Sequence, residues 1–228
     1  MRRGYFGGTF DPIHVGHLDV ARAACRAVGL DRIALLPAHT PPHRSPPQAS
    51  VAHRFAMVAI ALLGLDGFEA SDLDTLSSDP SYTTTTLDRL EARGVDTRAV
   101  FFVTGADAFA DITSWRGYPA LLDRCHFAVV SRPGRSVTSL RDALPALSAR
   151  MIDVPAAGPC PALTAPAILL IDAPTAAVSS TTVRARTAAG QSLEGLVTDA
   201  VRRHILANRL YRPQDGLRMD RPAARPHD

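Results

Sequence analysis

The chain has no lysine; all 25 of its basic residues are arginine. Alanine and proline are abundant too, so the bias runs through the whole composition and no arginine is marked out for function merely by not being lysine. Cysteine is scarce. Cys25, Cys125 and Cys160 are odd in number, far apart and form no C-x-x-C, which argues against a disulfide framework and a zinc ribbon and leaves them as small buried hydrophobes. Aromatics make up only 6% and the arginines are scattered, so a net charge of +3 and a pI near 9.0 do not indicate a nucleic-acid partner. A phosphate-bearing small molecule accounts for the mild basic excess equally well. No apolar run approaches the length of a bilayer span and no signal-peptide pattern opens the chain, so a soluble, cytoplasmic protein with no membrane partner is expected. At 228 residues and 46% hydrophobic, the chain can fill one substantial core. One domain is expected over residues 1–211, followed by a disordered polar, Pro-rich tail over 212–228.

What is present is concentrated in Gly7-Gly8-Thr9-Phe10-Asp11-Pro12-Ile13-His14-Val15-Gly16-His17. Before it, Gly4-Tyr5-Phe6 is a short apolar strand; after it, Leu18, Val20, Ala21, Ala24, Cys25 and Val28 recur at helical spacing up to a stop at Gly29. Strand, glycine-rich turn and helix is the arrangement in which backbone N–H groups converge on an anion, usually phosphate. Gly7 and Gly8 let the backbone approach a ligand, and Gly16 keeps the space between the histidines clear. His14 and His17 can then share one pocket. Taken alone, an H-x-x-H is more often a solvated helix start. Zinc is the least favoured reading, because beyond Asp11 no Cys or carboxylate lies at ligand spacing.

The rest of the chain alternates strand and helix. Arg32–Pro37 is a second strand, parallel to the first because a helix separates them. The Pro-rich stretch 38–47 cannot be helix or central strand. Ser50 caps a helix ending at Gly64, in which Met57 is expected in the core and Arg54 stands between a solvated face and the pocket. Phe68–Leu73 is a short strand. Ser81-Tyr82-Thr83-Thr84-Thr85-Thr86-Leu87 opens a helix that stops at Gly94, its threonines suited to capping. Ala99–Gly105 is the most apolar strand and is expected at the centre of the sheet, with Gly105-Ala106-Asp107 at its carboxyl end. His126–Val130 is a strand turning off through Ser131-Arg132-Pro133-Gly134. Over 136–166 the signal is weak: a helix near 140–149, a strand at 151–154 and a Pro-rich loop. Ile168–Ile171 is the last strand, Val178–Arg184 caps a helix running to Gly190, and a helix over 196–208 closes the fold. This order specifies an α/β fold of the Rossmann-like, doubly wound kind, with a mainly parallel sheet and helices on both faces.

Several of these stretches together resemble the nucleotidyltransferases with an H-x-G-H motif, in particular the bacterial nicotinate-nucleotide adenylyltransferase family. The resemblance rests on G-G-T-F-D-P-I-H-V-G-H at 7–17, P-P-H-R at 41–44, R-x-x-M at 54–57, S-Y-T at 81–83, G-x-D with Trp115 beyond it, S-R-P-G at 131–134 and V-S-S-T-T-V-R at 178–184. It departs from the family at Arg44, where lysine is usual, at Thr85 in place of aspartate, and at His204 in place of tyrosine. The resemblance implies transfer of AMP from ATP to nicotinate mononucleotide, with Mg2+ carried in on the ATP. It implies that His14 and His17 are catalytic and that Gly7, Gly8, Thr9, Phe10, Gly16, Arg44, Gly105, Asp107, Ser180, Thr181 and Arg184 bind ATP and its phosphates. Tyr82, Thr83, Thr84 and Trp115 would receive the nicotinate mononucleotide. The same chemistry on another phosphorylated acceptor, and a nucleotide-binding module without turnover, are the rival readings. Homo-oligomerisation is left open.

Overall fold

The computed structural model describes residues 1–41, 46–77, 79–155 and 160–212. Arg44 and all but the first residue of the expected tail lie outside the described residues. In chain order the elements are β1 (Arg3–Gly8), α1 (Val15–Val28), β2 (Arg32–Pro37), α2 (Val51–Ala61), β3 (Phe68–Ala70), α3 (Thr83–Ala92), β4 (Val100–Gly105), α4 (Ala106–Phe109), β5 (His126–Val130), α5 (Leu140–Ala143), β6 (Met151–Val154), β7 (Ile168–Ile171), α6 (Ser180–Ala188) and α7 (Asp199–Ala207).

Seven strands form one sheet in the order β3-β2-β1-β4-β5-β7-β6, and every pairing is parallel. The reason lies in the period-two alternation of the strand residues. Phe6, Ile33, Leu35, Phe101, Val103, Ala128, Val130, Leu169 and Ile171 point to one face, where α1, α2, α6 and α7 cover them. Tyr5, Ala34, Leu36, Val100, Phe102, Phe127, Val129, Ile168 and Leu170 point to the other, under α3, α4 and α5. Both faces are therefore apolar and both are buried, which a sheet built from strand-helix-strand units requires. Each large aliphatic or aromatic side chain sealed there contributes about 1.5–3 kcal/mol.

The edges follow the same logic. β7 is buried along its whole length and lies inside the sheet, whereas β6, which carries the exposed Asp153, takes the edge, so sequence order and spatial order differ there. At the opposite edge β3 carries the exposed Glu69 and ends at Ala70, short of the expected Leu73.

Three further expectations need correction. The helix expected over 140–149 is a single α-turn followed by a 3-10 stretch over Pro145–Arg150, because Pro145 has no N–H to continue the first turn. The last helix begins at Asp199, where the Thr198 side chain accepts the Val201 N–H. At α3 the threonines do not cap: Tyr82 is the N-cap, with no side-chain cap bond. Instead the Thr86 hydroxyl donates to the buried Asp74 carboxylate at 2.7 Å, and Arg89 donates to the other oxygen at 2.7 Å, tying α3 to the segment after β3. The cysteines are free thiols. Cys125 is buried and Cys25 half-buried, and burial pushes them to about 12 and about 11, so neither is a thiolate near neutral pH.

Candidate active site

In a doubly wound sheet, ligands bind beyond the carboxyl ends of the strands where the strand order reverses. Here that point lies between β1 and β4, and the glycine-histidine turn follows β1 while Gly105 ends β4. The turn folds back on itself. Phe10 takes a left-handed backbone conformation (φ 48°) and is 1% exposed, its ring edge-on to Phe6 at 5.5 Å and to His17 at 5.0 Å. A Cβ on Gly8 would lie 2.8 Å from the Phe10 ring, and one on Gly7 would lie 3.2 Å from Phe102. Space left by the two glycines is thus taken by protein rings. The Phe10 side chain, expected among the ATP-binding groups, supports His17 from within the core.

His14 is the N-cap of α1. Its backbone N–H donates to Nδ1 of His17 at 3.3 Å, and the two rings stack with centroids 3.7 Å apart. Because Nδ1 of His17 accepts that bond, the proton of its neutral ring sits on Nε2. His14 is 3% exposed, and its Nδ1 has no partner among the described residues. Burial, and secondarily the Arg132 charge, pull its pKa down to about 3, so the ring is neutral near pH 7. A Cβ on Gly16 would lie 3.0 Å from the Ala176 carbonyl oxygen and 3.2 Å from Nδ1 of His14, so this glycine admits both the histidine and the segment leading to α6.

That depressed pKa predicts a pH dependence of folding. The unfolded histidine, near 6.5, binds a proton that the folded one refuses down to about 3, so stability falls as pH drops through this window. Between pH 7 and pH 5 the loss from this group is about 2 kcal/mol. Urea unfolding at the two pH values should show it, and His14→Asn should flatten the slope; an equal slope in both proteins would contradict it.

The second expected anion site packs directly against the first. Ser179 caps α6 by accepting the Thr182 N–H at 3.0 Å, and the first-turn N–H groups of Ser180 and Thr181 have no partner among the described residues. The Ser180 hydroxyl donates to the Pro12 carbonyl at 2.9 Å, and Arg184 donates to the Asp11 carbonyl at 2.7 Å and to the Thr181 hydroxyl at 3.3 Å. Ser180 has only one O–H, already given to the turn, so what it can offer a ligand as donor is its backbone N–H.

At the end of β4, the Asp107 carboxylate folds back over Gly105, where any side chain would collide with it, and Arg132 lies on the same side. The expected mononucleotide residues are gathered on the other flank. Arg116 sits over the Tyr82 ring at 5.1 Å, and Gly117 (φ 85°) passes so close to Thr84 that a Cβ would lie 2.7 Å from its methyl group. Trp115, half-buried, stands edge-on to Phe127 at 6.3 Å. Tyr82, Thr84 and the 115–117 loop therefore form one wall, with Thr83 in the first turn of α3 beside them. The substituted Thr85 makes only a long 3.5 Å bond to the Pro80 carbonyl. His204 pairs with His53 across α7 and α2 at 3.1 Å.

A cytidylyltransferase-like family model matches residues 5–186. The chain belongs to that family. A Citrifermentans bemidjiense protein named "Probable nicotinate-nucleotide adenylyltransferase" is 39% identical over 213 residues, covering 92% of this chain and 98% of the relative. A Pseudomonas aeruginosa protein of the same name is 39% identical over 216 residues, covering 92% and 97%. The fold matches that of a Plasmodium falciparum nicotinic acid mononucleotide adenylyltransferase complexed with NaAD, with a TM-score of 0.69 over 92% of this chain and 96% of that one at 19% identity.

In this cytidylyltransferase-like chain four residues support the site in ways no local pattern specifies. Arg54, 1% exposed, faces neither solvent nor ligand: its guanidinium donates to the carbonyls of Ala49, Thr9, Ala38 and His39, locking the β1 turn to the segment after β2. Asp11, considered only as a metal ligand, is buried and accepts bonds from protein. Tyr211 reaches it from the far end of the chain. Arg132 supplies positive charge near His14. The R-x-x-M and S-R-P-G motifs held the two arginines, but no local pattern pairs residue 11 with residue 211. Among the described residues no three His, Cys, Asp or Glu side chains come together as a metal-ligand set, and no helix is long and apolar enough to cross a membrane.

Proposed function

We propose that this protein is a cytoplasmic enzyme that transfers AMP from ATP to nicotinate mononucleotide, giving deamido-NAD and pyrophosphate. The observation that carries the reading is the convergence, at one end of the sheet, of the His14/His17 pair, the α6 N-terminus and the wall of Tyr82, Thr84 and Trp115. The names of the relatives at 39% identity support the same reaction.

The chemistry needs little from the protein beyond position and charge. A phosphate monoester has a second pKa of about 6, so the acceptor phosphate is mostly dianionic at pH 7 and needs no general base. Its oxygen attacks the α-phosphorus, the bond from that phosphorus to the bridging oxygen breaks, and pyrophosphate leaves. His14 and His17 donate to the oxygens of the transferred phosphoryl group, where charge builds. The free N–H groups of Ser180 and Thr181, with Arg184, hold the departing pyrophosphate, and Gly105 and Asp107 line the ribose and adenine. Mg2+ carried in on the ATP phosphates would neutralise part of their charge.

Release of pyrophosphate dependent on both ATP and nicotinate mononucleotide tests the reading; binding of ATP without turnover would make the chain a nucleotide-binding module instead. By the P-P-H-R motif, Arg44 is assigned the phosphate-binding charge that lysine usually carries. Arg44→Lys should keep most of the activity and Arg44→Ala should lose it, whereas a silent alanine variant would remove Arg44 from the phosphate site.

A further inference from the structure

The Asp11 carboxylate is 4% exposed and fully engaged by protein donors. Oδ2 accepts the Gln48 N–H at 2.8 Å; Oδ1 accepts the Ala49 N–H at 3.1 Å and the Tyr211 hydroxyl at 2.8 Å. Its closest guanidinium, Arg184, is 3.8 Å away. Tyr211 lies beyond the end of α7, is 8% exposed, and adopts a left-handed backbone conformation (φ 61°) that is uncommon for an aromatic residue. Such a conformation persists where the surroundings dictate it. The hydroxyl contact to Asp11 spans 200 positions of sequence.

Asp11 lies three residues upstream of His14, in a turn whose carbonyls are held from outside: Thr9 by Arg54, Asp11 by Arg184 and Pro12 by Ser180. The Asp11 side chain is a further anchor, and among the described residues Tyr211 is the part of that anchor contributed from beyond α7. We infer that Tyr211 is a positioning residue for nucleotidyl transfer: its hydroxyl fixes Asp11 and, through the turn, the aim of His14 and His17. This inference rests on the function proposed above. Removing the hydroxyl leaves Asp11 two N–H bonds, so the fold survives; what is lost is constraint on the turn, and misplacement on the ångström scale is costly to a reaction governed by alignment.

The test is Tyr211→Phe in the full chain, with kinetics and urea unfolding measured together. Turnover per folded molecule should fall about tenfold, with the Michaelis constant for the mononucleotide nearly unchanged. Asp11→Asn, which also disturbs the Gln48 and Ala49 N–H bonds, should cause at least as large a fall, and the double variant should be no worse than Asp11→Asn alone, because Tyr211 acts through that carboxylate. The ring resonances of His14 and His17 should shift or broaden in Tyr211→Phe, a readout independent of turnover. If wild-type protein shows no transfer, the proposed function fails while the resonances still decide the role of Tyr211. A turnover and a histidine spectrum unchanged in Tyr211→Phe would overturn the inference, as would losses that simply add in the double variant.

Discussion

His17→Ala is expected to lower turnover by about 10² to 10⁴ while changing ATP binding much less. The expectation follows from how the ring is held. Its Nδ1 is occupied by the His14 N–H, its face is stacked on the His14 ring at 3.7 Å, and the Phe10 ring stands edge-on to it at 5.0 Å. A donor fixed in this way need not reorganise as charge builds on the transferred phosphoryl group, so its contribution is larger in the transition state than in the ground state. In the proposed reaction His14 acts beside it, its ring neutral in the free protein because burial, with the Arg132 charge, lowers its pKa to about 3. Arrival of phosphate charge beside it favours the protonated form and raises that value. His14→Ala should therefore also reduce turnover, and it should relieve a buried unpartnered nitrogen at the same time. Steady-state kinetics of His17→Ala decide the point: an unchanged rate constant with a raised Michaelis constant for ATP would assign His17 to ground-state binding.

Much of the frame supporting these histidines is legible in the sequence, because its signals are local. Arg32–Pro37, His126–Val130 and Ile168–Ile171 are strands with the expected bounds, being short apolar runs between turn residues. The stop at Gly29 is a left-handed C-cap, a conformation glycine adopts without strain. What escapes a local reading is partnership at a distance. Nothing around Arg54 announces that it will satisfy four carbonyls, and nothing around Thr86 announces the buried Asp74. The insertion of β7 between β5 and β6 depends on comparing how apolar two strands are and which can bear an edge. The local frame around the histidines is closer to its motifs, since Gly7 and Gly8 end β1, His14 caps α1 and Ser180 opens α6, positions that short motifs mark.

The preference for a pyridine carboxylate over the corresponding amide should be strong, and the wall beside α3 explains how. The two groups have nearly the same shape and differ by one negative charge. A pocket offering mainly N–H donors satisfies both carboxylate oxygens but leaves the amide NH2 facing a donor. Each such unpaired group costs about 1–3 kcal/mol on burial, roughly tenfold to hundredfold in discrimination. In the proposed reaction the first turn of α3 at Thr83 and Thr84 presents backbone N–H groups with the positive end of the helix dipole behind them, and the half-buried Trp115 supplies the stacking surface for the ring. Thr85 in place of aspartate does not weaken this arrangement, because a negative side chain would not itself attract the carboxylate. Arg116, held over the Tyr82 ring at 5.1 Å, offers a competing explanation, whereas Arg124, which donates to the Thr84 carbonyl at 3.4 Å, is already paired with Asp88 and Glu91. With the backbone as the main reader, Arg116→Ala should keep most of the preference for the acid, whereas Trp115→Ala should weaken binding of both mononucleotides by removing the stacking surface. Measuring kcat/KM for the acid and amide mononucleotides in the wild type and these two variants separates the cases. Equal efficiency with both substrates in the wild type would remove the α3 turn as a discriminator, and loss of the preference in Arg116→Ala alone would transfer that role to the arginine.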